Sequence, residues 1–287
     1  MADTTLSYPK VSFRRFVAER LASSETPQPQ ALFEVVQVLA DWRPDALLRY
    51  AGDPAHPIEP TEASLSAYLA EVERAWTQGL PKIFRLSDDA QTPQFALFFR
   101  VESTPIGDIE SIWFSLPTML TGATFTIERL MNVVATICRV FNAYHGCIED
   151  ERLLLLYRSE RTAERARAAL PPALRQFVPA PALPEGTARS LSPLLVPQEF
   201  DRRLVPDAVW WINFWDRLQV ETVGLQRVRT AGWFRLTEQP SGALVLAATE
   251  EPTEVTNVAH MTCVQQILDY LGLYELQKTR LLRKHNL

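Results

Sequence analysis

The stretch Val209-Trp210-Trp211-Ile212-Asn213-Phe214-Trp215 is the most strongly patterned part of this 287-residue chain. It places three of the seven tryptophans within six positions, among aromatic and β-branched neighbours, which is typical of a β-strand. Side chains alternate between the two faces of a strand. One face is therefore wholly apolar and belongs in a core; it carries Trp210, Ile212 and Phe214.

The opposite face of this strand carries Trp211, Asn213 and Trp215. Tryptophan is enriched where proteins bind other proteins, and an asparagine between two tryptophans suits a partly wet surface. The alternative interpretation is that the protein's own helices cover this face, as they cover strands that are buried on both sides. The three residues are thus candidate anchors for a protein partner on the condition that the face is exposed.

The overall composition predicts a soluble, cytoplasmic globular protein. Hydrophobic residues make up 47% of the chain and charged residues 22%, which is ordinary for that class. The net charge of −5 argues against a protein that binds nucleic acid by neutralising phosphates. Three cysteines are too few for a disulfide framework, and no apolar run is long enough to cross a bilayer. We therefore expect neither nucleic acid nor a membrane as a direct partner.

A proline-rich segment divides the chain. Seven of the 21 prolines fall between Pro171 and Pro197, where they remove backbone donors and block regular structure. The sequence predicts an N-terminal α+β half at 1–170, a linker or wrapping segment at 171–197, and a C-terminal α+β half at 198–287 that contains the Trp-rich strand.

Apolar periodicity and capping residues predict an α+β fold with mainly antiparallel sheets flanked by amphipathic helices. Helices are expected at 30–42, 61–76, 127–144, 161–170 and 257–270, and further strands at 95–101, 109–116, 232–237 and 243–249. A hairpin turn is expected at 239–242. The first 28 residues are expected to be irregular, and His145-Gly146-Cys147 a turn. Segments 95–144 and 233–270 share the order strand, strand, helix, which suggests a pseudo-repeat.

Motifs for catalysis and for cofactors are missing from the sequence. The two closest glycines, Gly224 and Gly232, are eight positions apart, whereas phosphate-binding loops need glycines within about five residues. The four histidines are scattered and there is no Cys-x-x-Cys pair, so no metal site is indicated. We expect that the protein is not an enzyme and carries no cofactor.

Acidic residues cluster at four places in the sequence and are expected to be solvated loop residues rather than an acid/base pair. The clusters are Asp88-Asp89, Asp108 with Glu110, Glu149-Asp150-Glu151, and Glu250-Glu251 with Glu254. The last cluster, which we call the acidic lip (Glu250, Glu251 and Glu254), precedes the final predicted helix.

The run Val205-Pro206-Asp207-Ala208 leading into the Trp-rich strand resembles the immunity 52 family of bacterial polymorphic-toxin and type VI secretion immunity proteins. The Gly232-Trp233-Phe234 strand, the Gly242 turn and the segment 247–252 belong to the same resemblance, which covers mainly residues 205–272. It implies an α+β protein without catalytic residues. It also implies a partner, namely a cognate toxin effector with a restriction-endonuclease-like nuclease domain, which this chain binds and neutralises.

These observations predict two sets of contacts to such an effector. The acidic lip would steer the chain to the basic surface of a nuclease. Trp211, Asn213 and Trp215 would provide the anchors. Two other functions stay open from the sequence: an adaptor that loads a secreted effector without suppressing its activity, and an unrecognised hydrolase that uses Cys147 or a buried carboxylate.

Overall fold

The structure is a computed structural model, which describes residues 14–21, 28–45, 47–51, 57–75, 82–89, 95–104, 107–116, 126–150, 201–253 and 257–279. The predicted helix at 161–170, the proline-rich segment 171–197 and Glu254 lie outside these residues. The chain divides into two compact units, one of residues 15–147 and the other of residues 1–14 and 148–287. The predicted boundaries around 171–197 stay a prediction.

The unit of residues 15–147 contains a sheet and three helices in its described part. Its strands are β1 (Arg14–Leu21), β2 (Tyr50–Ala51), β3 (Lys82–Ser87), β4 (Ala96–Thr104), β5 (Gly107–Leu116) and the start of β6 (His145–Asp150). Its helices are α1 (Gln28–Trp42), α2 (Glu62–Ala75) and α3 (Ile127–Val140). The strand order is β2-β3-β4-β5-β1-β6, and the pairs from β2 to β5 are antiparallel.

The core of this unit lies between one face of the sheet and the helices. Phe114 of β5 contacts Trp42 of α1, with ring centroids 6.3 Å apart, and Phe99 of β4 contacts Phe141 after α3 at 6.4 Å. The predicted apolar stripe of the first helix is confirmed as buried; it consists of Leu32, Val35, Val36 and Leu39. The sheet face that carries Phe99 is therefore the inner face, and alternate residues of the same strands form an outer face.

The second unit is built around a three-stranded antiparallel arrangement and four helices in its described part. Its elements are β7 (Ile212–Trp215), α4 (Arg217–Val223), α5 (Leu225–Arg229), β8 (Arg235–Glu238), β9 (Leu244–Ala247), α6 (Val258–Leu271) and α7 (Leu273–Thr279). Strand β9 pairs with β7 on one side and with β8 on the other. Its core includes Trp215, Leu246, Val264, Leu268 and Leu271.

The predicted α+β class and antiparallel sheet are confirmed. Both 95–144 and 233–270 form two antiparallel strands followed by one helix. The predicted hairpin turn is present: the Gly242 N–H donates to Gln239 O at 2.9 Å, and Gly242 has φ +83°, a left-handed conformation that glycine adopts without a steric penalty. Asn257 caps α6 as expected, since its side chain accepts from the N–H groups of Ala259 and His260.

Several sequence predictions of local structure are wrong. The segment Arg14–Leu21 is a strand rather than irregular chain, because its charged residues Glu19 and Arg20 are buried and bonded within the sheet, which no hydropathy pattern signals. Helix α3 ends at Val140, where Asn142 with φ 52° turns the chain. As a consequence, His145-Gly146-Cys147 begins strand β6 instead of forming a turn.

Candidate functional site

The Trp-rich strand is buried on both faces. Regular strand structure covers only Ile212–Trp215, and all four residues are buried. The solvent-exposed fractions of Trp211, Asn213 and Trp215 are 5%, 0% and 0%. The three predicted anchors are therefore core residues, and the exposure that their role as anchors required is absent. The physical reason is that β7 is covered on both sides, with Trp215 packed edge-on against Trp233 at 5.6 Å.

The Asn213 side chain is hydrogen-bonded to the backbone of its own chain segment. Its side-chain amide donates to Trp210 O at 2.8 Å, and its carbonyl oxygen accepts from Trp210 N at 2.9 Å. The asparagine thereby satisfies both backbone groups of Trp210, which have no ladder partner because the strand begins only at Ile212. A buried polar side chain is tolerated where it is paired in this way.

The residues before the strand are fixed by side chains from elsewhere in the same unit. Gln277 of α7 donates from Nε2 to Pro206 O at 2.7 Å and to Asp207 O at 3.1 Å. The Asp207 carboxylate accepts from Arg202 at 3.0 Å. Each polar residue in the run 205–213 that carried the family resemblance thus has a structural role in this unit.

The acidic lip is exposed where the structure describes it. Glu250 and Glu251 follow β9 and are exposed to solvent, whereas Glu254 lies outside the described residues. The indole Nε1–H of Trp211 donates to Thr249 O at 3.1 Å, and the Thr249 hydroxyl donates to Glu251 O at 2.6 Å. These two bonds connect the backbone of the loop that carries the exposed glutamates to the buried Trp211.

Two of the predicted solvated carboxylates are buried. Glu110 of β5 is 1% exposed and forms an ion pair with Arg20 of β1, which is also 1% exposed. The Arg20 guanidinium carbon lies 4.9 Å from the centre of the Phe141 ring. Glu149 of β6 is likewise buried. The prediction of solvated loop residues fails for these two positions because both lie on strands inside the sheet.

The only His-Gly-Cys stretch offers no accessible thiol. Cys147 and His145 are each 3% exposed in strand β6. Burial also raises the pKa of the Cys138 thiol well above its ordinary value and raises the pKa of Cys263. Among the described residues, no group of three or more His, Cys, Asp and Glu side chains is arranged to hold a metal ion. None of the described helices is long and apolar enough to cross a membrane.

A row of side chains that sequence reasoning missed crosses the outer face of the first unit's sheet. We call Arg85, Phe98 and Trp113 the aromatic ladder. They lie directly opposite one another on β3, β4 and β5. The Arg85 guanidinium carbon lies 5.9 Å from the centre of the Phe98 ring, and Phe98 stacks on Trp113 with centroids 5.3 Å apart and planes at 7°. All three side chains are half-buried.

No protein-family model matches this chain, and no curated protein matches it. A solved structure named "Pseudomonas aeruginosa T6SS protein PA0821" is similar to it, with a TM-score of 0.50 and 12% sequence identity. The similarity covers 90% of this chain and 73% of that one. At this level of identity the likeness shows a shared fold. Membership of the immunity 52 family stays a prediction from residues 205–215.

Predicting the aromatic ladder from the sequence requires the register in which β3, β4 and β5 pair. Alternation places Phe98 with Arg100 on one face of β4, but β3 was not predicted at all, so Arg85 had no assigned neighbour. The three strands are consecutive in the chain, and the sequence predicted two of them, 95–101 and 109–116, which carry Phe98 and Trp113. The missing element was β3, which carries Arg85, and its register against β4 is set by pairing that the sequence did not predict.

Proposed function

We propose that this chain is a type VI secretion immunity protein, which binds a cognate toxin effector and neutralises it. The fold similarity to a protein named as a type VI secretion system protein supports the association with that system. The resemblance of residues 205–215 to the immunity 52 family supports the immunity role over other roles in the same system.

The observation that carries the proposal is that the described part of the acidic lip is exposed and hydrogen-bonded to the buried Trp211. Glu250 and Glu251 are exposed, and their loop is bonded to the buried Trp211 through Thr249. A nuclease presents a basic surface to its nucleic-acid substrate, so an acidic protein is attracted to that surface and competes for it. A lip that is already ordered before binding loses little conformational entropy on association.

Two modes of neutralisation are compatible with this geometry. The chain either occludes the active site of the effector or disturbs the assembly of the effector. Binding of DNA by the complex distinguishes them, because an occluded nuclease loses DNA binding together with cleavage. An effector with disturbed assembly retains DNA contact and loses cleavage.

The test is growth of cells that express the product of the neighbouring gene, with and without this chain, followed by co-purification. We expect restored growth and a stable complex. Co-purification without restored growth would assign the chain to an effector-loading adaptor instead. Neither rescue nor binding would overturn the proposal.

A further inference from the structure

The aromatic ladder differs from the rest of the outer sheet face in its charge. In the neighbouring row Ile83 lies opposite Arg100, and the Arg100 guanidinium is paired with Glu102 at 2.5 Å. Arg85 contacts the Phe98 ring, but among the described residues no carboxylate pairs with it. Its Nε atom is buried and has no hydrogen-bond partner. The ladder therefore ends in an arginine whose charge is not neutralised.

Apolar surface lies beside this arginine. Ile83 is 46% exposed, and it shares the outer face with Arg85 two residues further along β3. Phe98, which is half-buried, extends the apolar surface to the neighbouring strand β4. Arginine is among the residues that most often dominate the binding energy of protein interfaces, and a guanidinium fits a carboxylate through two parallel hydrogen bonds.

We propose that the outer face at the aromatic ladder binds a segment of the cognate effector in which a carboxylate lies next to apolar side chains. The carboxylate pairs with Arg85, and the apolar side chains pack on Ile83 and Phe98. Charge complementarity selects this occupant, because a basic segment would meet the unpaired arginine with like charge. The proposal rests on the proposed function, since the effector is the partner. The positively charged Arg85 gives the chain a second contact surface, opposite in charge to the acidic lip.

The closing experiment places a competing carboxylate on the face. Ile83→Glu introduces an acid about 7 Å along the strand from Arg85, within reach of its guanidinium. Ile83→Gln has the same shape without the charge and serves as the matched control. Position 83 is exposed, so neither variant should disturb the fold, which thermal unfolding verifies. We expect Ile83→Glu to bind the purified effector at least about tenfold more weakly than Ile83→Gln, because the partner's carboxylate loses its arginine.

A second pair of variants tests the arginine directly. Arg85→Ala should weaken effector binding by about tenfold or more. Arg74→Ala is the control and should leave the affinity unchanged, because Arg74 is exposed on α2. Helix α2 lies against the inner face of the sheet, where its Tyr68 contacts Phe84 of β3. Arg85→Lys keeps the charge but not the fork of donors, and its affinity should lie between those of Arg85→Ala and Arg74→Ala.

The outcomes separate the two proposals. If the wild-type chain binds the effector and Ile83→Glu binds as tightly as Ile83→Gln, the ladder proposal is overturned and the immunity proposal stands. A wild-type chain that does not bind the effector overturns the immunity proposal and the ladder proposal with it. Sedimentation of the chain alone tests whether a second copy of the chain occupies this face. If the wild-type chain is a dimer that Ile83→Glu dissociates without loss of effector binding, the face belongs to the dimer and the ladder proposal is overturned.

Discussion

Asp216, whose side chain caps α4, is a mostly buried carboxyl group. Burial is the largest cause and raises its pKa from 3.8 to about 6, while hydrogen bonds from the N–H groups of Gln219 and Leu218 oppose the rise. Since the native state then binds more protons than the unfolded chain between those values, stability falls as the pH rises from about 4 to about 6.

The substitution Asp216→Asn tests this pH dependence. Asparagine keeps the oxygen that caps α4 and removes the charge. A shift of about two units corresponds to about 3 kcal/mol, which partial solvation of the carboxylate reduces to about 1–2 kcal/mol. We expect the free energy of unfolding of the variant, relative to wild type, to increase by that amount between pH 4 and pH 7 in urea titrations. A difference that is the same at both pH values would contradict the prediction.

Two asparagines of the second unit are expected to differ in their contribution to stability. Asn213→Ala leaves the buried N–H and C=O of Trp210 without partners and should lower the free energy of unfolding by about 2–4 kcal/mol. Asn257→Ala removes only a partly solvated helix cap and should cost about 1 kcal/mol. Urea unfolding of both variants measures the difference. Equal losses would mean that the two buried hydrogen bonds of Asn213 contribute no more to stability than a partly solvated helix cap.

At the scale of elements, the connection between β7 and the acidic lip determines how well the lip is ordered. Trp211→Phe keeps the ring in the core and removes the indole N–H that binds Thr249 O. We expect hydrogen exchange of the amides of Thr249, Glu250, Glu251 and Thr253 to become about tenfold faster, which corresponds to one lost hydrogen bond.

Trp233→Phe is the matched control for this prediction, because the Trp233 indole donates to Val228 O at 2.8 Å, away from the lip. Its exchange effect should fall on α5 rather than on the lip. If exchange at 249–253 is unchanged in Trp211→Phe, the loop is ordered by other contacts and the supporting role of Trp211 fails.

Strand β1 explains why some of the sequence predictions failed. Strand β1 carries Arg20 and Glu19, and burial of such residues requires partners from distant elements, here Glu110 and Tyr144. The hydropathy pattern of β1 alone does not identify those partners, so it does not predict that Glu19 and Arg20 are buried. In contrast, α1, the start of α3 and α6 were predicted well, because the apolar stripe of a helix and the caps Thr126 and Asn257 are local in sequence.

At the scale of the whole molecule, the net charge of −5 favours attraction to a basic partner. Reversing the lip with Glu250→Lys and Glu251→Lys should slow the association with the effector by about tenfold at low salt and weaken its salt dependence. The control is Glu59→Lys with Glu71→Lys, which changes the net charge equally at exposed positions on the first unit. Stopped-flow measurements compare the rates. An equal slowing in both double variants would indicate an effect of net charge alone.

The sequence by itself determined the α+β class, the amphipathic helices, the hairpin turn at Gly242 and the existence of the Trp-rich strand. These features depend on residues that are close together in the sequence, because local steric preferences and hydrophobic periodicity are set by such residues. Only the tertiary structure decided which faces are exposed. It buried Trp211, Asn213 and Trp215, paired Glu110 with Arg20, and brought Arg85, Phe98 and Trp113 into one row. Burial and ion pairing such as that of Arg20 with Glu110 depend on elements that are distant in sequence, and the register of a strand depends on the neighbouring strand with which it pairs, so neither is specified by the residues of one strand alone.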